Sequence, residues 1–156
     1  MPSRRELIAM SPEEVATYLA SQQRLIVISN GLGGFPHPMP MNFGIDETGR
    51  LVILTFAKSQ KVRNLERDPR ASLLVESGGS YHDLKSVIIY AHAEIIPQGP
   101  EFERCRDAFA RKSQTVAGPG SSIKPQVDST MHKRVAIRFT PEHTISWDHA
   151  KLGTNY

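Results

Sequence analysis

The stretch TFAKSQKVRNLERDPRASLLV, residues 55–75, begins and ends as strands do but gathers its charge in the middle. Five cations stand against two carboxylates between Lys58 and Arg70, a surplus as large as the +3 of the whole 156-residue chain. Ser59 is a good N-cap, and a short helix fits from Gln60 to Asp68-Pro69, where the residue before proline leaves the helical region. The free N–H groups of that helix start and the positive end of its dipole would meet an anion, with the Ser59 hydroxyl and the Lys61 ammonium beside them. A solvated surface helix, with Arg63 paired to Glu66, accounts for the same residues equally well on chemistry alone.

Upstream, SPEEVATYLASQ (11–22) carries a helix start: Ser11 as N-cap, Pro12 at the first helical position and Glu14 closing a capping box. Val15, Tyr18 and Leu19 then face inward. RLIVISN (24–30) is a β-branched run, followed by the turn GLGGFP. HPMPMNFGID (37–46) fits only an edge or bulged strand, because Pro38 and Pro40 lack ladder donors. A turn at DETG leads into RLVILTF (50–56), making a hairpin.

Downstream, ASLLVES and a Gly78-Gly79 turn precede LKSVIIYAHAEIIP (84–97), in which Val87, Ile89, Ala91 and Ala93 share one face. PEFERCRDAFARKS (100–113) reads as a helix with Phe102, Cys105 and Phe109 on one stripe, so Cys105 is a core residue rather than a nucleophile. Residues 114–132 have no usable period and read as a long flexible loop, either functional or disordered. KRVAIRF, a break at Pro141 and HTISW close the sheet. Six antiparallel strands with two or three short helices predict a mainly β (α+β) barrel or sandwich, one domain over residues 1–156.

Much chemistry is excluded. Cys105 is the one cysteine, so no intrachain disulfide forms. The start, MPSRRELIAMSPEEV, has two arginines with no apolar run behind them, and no apolar stretch is long enough to span a bilayer. The expectation is a cytoplasmic protein without a membrane partner. There is no G-x-S-x-G elbow and no phosphate-binding P-loop, and GLGGFP does not complete a dinucleotide fingerprint. The six histidines never stand three or four apart from one another or from Cys105, so no metal site is expected. Basic residues with few interleaved aromatics argue against nucleic acid.

The pattern T-x-x-x-S-x-K-x-x-x-L-x-x-D-P-x-A-x-L, met by Thr55, Ser59, Lys61, Leu65, Asp68, Pro69, Ala71 and Leu73, resembles the signature of the pyridoxamine 5'-phosphate oxidase-like FMN-binding split β-barrel superfamily. DLKSVIIYAHAEI resembles that superfamily's next strand, and KVRNLERDPRASLLV is closest to its coenzyme F420 (deazaflavin)-dependent reductases. The resemblance covers residues 11–97 well and the remainder loosely. It implies a homodimer of six-stranded split barrels with a flavin or deazaflavin between subunits. Carried over by position, Ser59, Gln60 and Lys61 would hold the cofactor phosphate and Thr55 would line the ring system. Met39, Pro40, Met41 and Asn42 would face the ring from the second strand. Ser86 falls where the oxidases have a glutamine, and Trp147 where a partner-subunit tryptophan approaches the cofactor.

Two departures narrow the activity. Pro38 and Phe43 stand where true pyridoxamine phosphate oxidases have an arginine and a lysine, and their C-terminal Arg-x-His motif is missing, so vitamin oxidation is not expected. The resemblance implies a reductase in which reduced deazaflavin delivers a hydride to an electron-poor organic substrate, with Lys58, Arg63 and Arg67 as contacts for an anionic cofactor tail. The alternatives are an FMN-dependent oxidoreductase or FMN-binding protein of the same fold, and a non-catalytic carrier of flavin, haem or another anion. No catalytic acid is identified; Tyr81, His82 and His149 are the candidates, and the 114–132 loop is a candidate lid.

Overall fold

The computed structural model describes residues 1–118 and 129–153. Its helices are α1 (Arg4–Ile8), α2 (Pro12–Ser21), α3 (Gln60–Arg67) and α4 (Pro100–Ala117). Its strands are β1 (Arg24–Asn30), β2 (Pro36–Asn42), β3 (Gly44–Ile45), β4 (Leu51–Phe56), β5 (Arg70–Ser77), β6 (Lys85–Ile96) and β7 (Arg134–Asp148).

All seven strands join one antiparallel sheet in the order β2-β1-β5-β6-β7-β4-β3. The two outermost strands are consecutive in the chain, separated by Phe43 alone, so the sheet must curl until its edges meet: a split barrel. The expected single strand HPMPMNFGID is therefore two strands, and the count is seven rather than six. Phe43, where the chain passes from one edge to the other, is 2% exposed and lies in the main core. Pro36, Pro38 and Pro40 lie on the edge strand β2, opposite Asn30, Ile28 and Ile26, where a missing donor leaves no inner ladder broken.

Alternation builds two cores. Leu25, Val27, Leu73, Val75, Val87 and Ile89 face the barrel interior from β1, β5 and β6, joined by Val62 and Leu65 of α3. On β4, Leu51 and Ile53 face that interior, while Val52 and Leu54 face Phe102, Cys105 and Ala108 of α4. Helix α4 lies directly on the sheet edge: a Cβ placed on Gly44 would be 2.5 Å from the Phe109 Cα.

The capping box of α2 forms as expected, with the Glu14 N–H on Ser11 Oγ (3.2 Å) and the Ser11 N–H on Glu14 Oε2 (2.7 Å). Three features differ from expectation. Helix α1 has its own box between Ser3 and Glu6 but buries no residue, so it leaves no apolar period to read. Helix α4 runs on to Ala117 and stops at Gly118, whose φ of 78° only glycine adopts readily. Of the expected loop, residues 119–128 lie outside the described residues. Pro141 does not break β7: Ala91 pairs with Pro141 and Tyr90 with His143, so Glu142 is bulged out and the strand continues to Asp148. Among the described residues no helix is long and apolar enough to cross a membrane.

Candidate functional site

The charged stretch folds as a strand, a tight turn and a helix, and its polar residues divide between the two faces of α3. Ser59 takes the N-cap conformation, yet its hydroxyl makes no capping bond and lies 3.5 Å from Thr55 Oγ1 instead. Lys61, two residues on, folds back along β4. Its Nζ donates to Thr55 Oγ1 at 2.8 Å, and the lysine is only 6% and the threonine 3% exposed. Among the described residues no carboxylate pairs with this ammonium. Burial, and secondly the charge of Arg134, hold the Lys61 pKa below the ordinary lysine value.

The adjoining face of α3 is a hydrogen-bonded polar seam. Asn64 is fully buried; its Nδ2 donates to Ser29 Oγ (3.0 Å), and its Oδ1 accepts from Gln60 Nε2 (2.9 Å) and Arg67 (3.3 Å). Gln60 is thus turned along the helix. Arg67 also donates to the Asn30 carbonyl (2.6 Å), which ties it to the end of β1. The expected Arg63–Glu66 pair is not formed; both side chains are exposed, as is Lys58. Asp68 accepts from Arg70 (2.7 Å) and from Asn30 (2.8 Å), and these bonds, Arg70's first, hold its carboxyl well below the usual range. Ser29, Asn30 and Asn64 were not anticipated. The spacing of Gln60, Asn64 and Arg67 at i, i+4, i+7 was the available signal.

Beside this group, Pro40, Met41 and Asn42 line a cavity of about 440 Å³ with Arg24, Leu54, Phe109 and Arg134. Leu54 is the chain neighbour of Thr55, and the Arg134 guanidinium lies 4.3 Å from the centroid of the Phe56 ring. No carboxylate lines the cavity. Met39 is the exception among the four second-strand candidates: it is half-buried opposite Val27 and does not line it.

The other candidates lie elsewhere in the chain. Ser86 and Trp147 are register partners on β6 and β7. Arg134 is the first residue of β7 and Trp147 the last but one, so the lysine group and the tryptophan sit at opposite ends of a 15-residue strand. Trp147 lines a second cavity together with Tyr81 and His149, while His82 is exposed. Cys105 is 1% exposed and burial raises its pKa, which makes it a core thiol. Among the described residues no three His, Cys, Asp or Glu side chains are grouped as metal ligands.

A family model described as pyridoxamine 5'-phosphate oxidase matches residues 11–148. The 5a,11a-dehydrotetracycline/5a,11a-dehydrooxytetracycline reductase of Streptomyces rimosus is 28% identical over 102 residues, covering 61% of this chain and 72% of that protein. Among solved structures, the conserved hypothetical protein Rv2991 from Mycobacterium tuberculosis superposes with a TM-score of 0.84 at 34% identity, over 99% of this chain and 95% of its own. A FAD-binding protein from Mesorhizobium loti shares the fold, with a TM-score of 0.67 at 19% identity over 88% of this chain and 93% of its own.

Proposed function

This chain belongs to the pyridoxamine 5'-phosphate oxidase family, and we propose that it is a cytoplasmic, homodimeric oxidoreductase that uses a reduced deazaflavin of the coenzyme F420 type to reduce an electron-poor organic substrate. The observation that carries this reading is Lys61. A buried ammonium is costly unless it is paired, and here its hydrogen bond goes to a neutral hydroxyl. A cofactor phosphate at the start of α3 would supply the missing charge, with the Ser59 hydroxyl, left unused by the cap, beside it.

The residues present fit such a group. Lys61 and Ser59 would hold its anionic end, and the cavity lined by Pro40, Met41, Asn42, Leu54 and the cations Arg24 and Arg134 would offer a mixed apolar and cationic surface to the rest of the cofactor. The deazaflavin supplies the hydride; the chain supplies position, charge and exclusion of water. Phe43 supports the choice against a true oxidase, because a core aromatic ring, 2% exposed, holds the position where the oxidases have a cation. The reductase from Streptomyces rimosus supports reduction as the chemistry. FMN is the second reading, favoured by the FAD-binding protein of the same fold.

The homodimer rests on two features. An apolar row runs across one face of the sheet, from Pro40 through Ile26, Leu74 and Ile88 to Ile145, in register from β2 to β7. The candidate residues lie at opposite ends of β7, and a second copy of the chain would bring the partner's tryptophan to the lysine group. The absorption spectrum of the purified protein, followed by titration with FMN and with the deazaflavin, tests the cofactor. Tighter binding of the deazaflavin is expected; FMN retained through dialysis overturns the choice. Oxidation of the reduced deazaflavin by a panel of quinones and enones tests the enzyme, and no turnover with any acceptor favours a carrier.

A further inference from the structure

The outer face of the sheet carries more than the apolar row. Two residues further along each strand lies a second row, Pro38, Ile28, Ser72, Tyr90 and His143, again in register from β2 to β7. The Tyr90 and His143 rings lie parallel, with 3° between their planes and centroids 6.2 Å apart. Both residues are exposed, Tyr90 at 42%. On the other side of the apolar row stand Arg24 opposite Asn42, and Glu76, Ser86 and Trp147 in register with one another.

Area decides which rows a second copy of the chain would cover. Five strands about 4.8 Å apart, with outward residues repeating about every 6.8 Å, give a row roughly 160 Å² of sheet. A stable interface takes roughly 800 Å² from each partner. The apolar row alone falls far short, so a dimer on this face buries the flanking rows as well, and the Tyr90–His143 stack with them. Aromatic rings suit such an interface, but an imidazole brings a charge that changes between about pH 5 and pH 8.

The other charged groups on this face are placed differently. His92 and Arg70 are register partners one row beyond the stack; His92 Nε2 lies 2.8 Å from Glu142 Oε2, and Arg70 pairs with Asp68 (2.7 Å). An imidazolium at His92 thus keeps a counter-charge within its own chain. Arg24 and Glu76, beyond the apolar row, contribute one charge of each sign. His143 has no ion pair among the described residues, and the group opposite it is a phenol. Covering His143 strips water from an imidazolium without supplying a carboxylate, so the neutral ring is the form a dimer accepts.

We propose that pH governs assembly of the site through this row: protonation of His143 opposes the two-fold pairing that would bring Trp147 to the partner's Lys61. The inference rests on the homodimer reading. Two-fold symmetry buries the residue twice, so dimerisation expels up to two protons and Kd rises by up to about a hundredfold per pH unit on the acid side.

Sedimentation equilibrium of the full chain at about pH 8 and about pH 5, at equal ionic strength, reads the dimer Kd. A rise of at least about tenfold toward acid is expected. His143→Phe keeps a ring against Tyr90 and cannot take a proton, so its Kd should be the same at both pH values. His92→Gln should keep the wild-type response, and circular dichroism checks that each variant is folded. A wild-type Kd that is unchanged or lower in acid, a response that survives in His143→Phe, or one that is lost in His92→Gln overturns the proposal and leaves the homodimer standing. A chain that stays monomeric at about pH 8 at every concentration overturns both.

Discussion

Replacing Lys61 by methionine should move stability and cofactor affinity in opposite directions. Methionine keeps most of the apolar stem, packed where the lysine is 6% exposed, and deletes the ammonium that burial disfavours. Thr55 loses its 2.8 Å donor but keeps the Ser59 hydroxyl at 3.5 Å as a substitute partner. Removing a buried charge that lacks a counter-charge is expected to stabilise the cofactor-free protein by about 1 kcal/mol, the net of desolvation relieved and one hydrogen bond lost. For a chain of this size that raises Tm by roughly 2–4 °C. The lysine's folded pKa lies below its unfolded value, so the unfolded chain binds more protons between the two, and wild-type stability rises with pH across that window. The variant should lose that rise. A phosphate at Lys61 would lose a charge-assisted hydrogen bond of about 1.5–3 kcal/mol, roughly ten- to a hundredfold in Kd. Thermal melts without cofactor and equilibrium titration with it give the two quantities. A variant that melts lower and binds the cofactor unchanged would refute the reasoning and make Lys61 a structural donor to Thr55.

Two other predictions concern the packing of α4. Lys112 donates to the Gln22 carbonyl and lies 3.8 Å from the Phe43 ring centroid, and burial brings its pKa from the ordinary 10.5 down to about 8. Its cost to folding is complete below pH 8 and is relieved as pH rises toward 10.5, by about 3 kcal/mol at most; Lys112→Met should flatten urea-derived stability between pH 8 and 10, and an unaltered slope counts against the assignment. Gly44→Ala would press a methyl to 2.5 Å from the Phe109 backbone, so denaturant melts should show a loss of about 1–3 kcal/mol or more. Wild-type stability in that variant would mean that α4 shifts freely on the sheet edge.

What could be read from the sequence was local. Ser11, Pro12 and Glu14 specify the start of α2 through bonds within one turn, and Asp68-Pro69 stops α3 for steric reasons that need no partner. The alternation of Val87, Ile89 and Ala91 shows because β6 has one face toward the core. What could not be read depended on distant chain. The passage at Phe43 from one sheet edge to the other is a property of barrel closure, and nothing in HPMPMNFGID marks it. The end of α4 carried no apolar period because its last buried residue is Lys112. At the site, Ser59 and Lys61 were legible as residue types at a helix start. That Lys61 turns inward onto Thr55, and that Asn64 joins α3 to Ser29, depends on how α3 seats against β1 and β4.

The separation of the site along β7 leads to a last prediction that discriminates between one-chain and two-chain assembly. With Lys61 near the Arg134 end and Trp147 near the Asp148 end, a single barrel does not join them, whereas in the proposed two-fold pair, with the strands running in opposite senses, each tryptophan would stand against the partner's lysine group. Lys61→Met and Trp147→Ala homodimers should then each be impaired in turnover of the reduced deazaflavin. In a mixed dimer carrying one chain of each kind, both defects fall in the same site and the other site is intact. Random pairing of equal amounts makes half the dimers mixed, so activity should recover to about a quarter of wild type. Co-expression with two affinity tags and isolation of the doubly tagged species raises that to about half. If both residues served the site of their own chain, every site in the mixed dimer would carry one defect. Activity no higher than that of the two parent variants would therefore refute the shared site, while leaving the Lys61 titration to judge the cofactor.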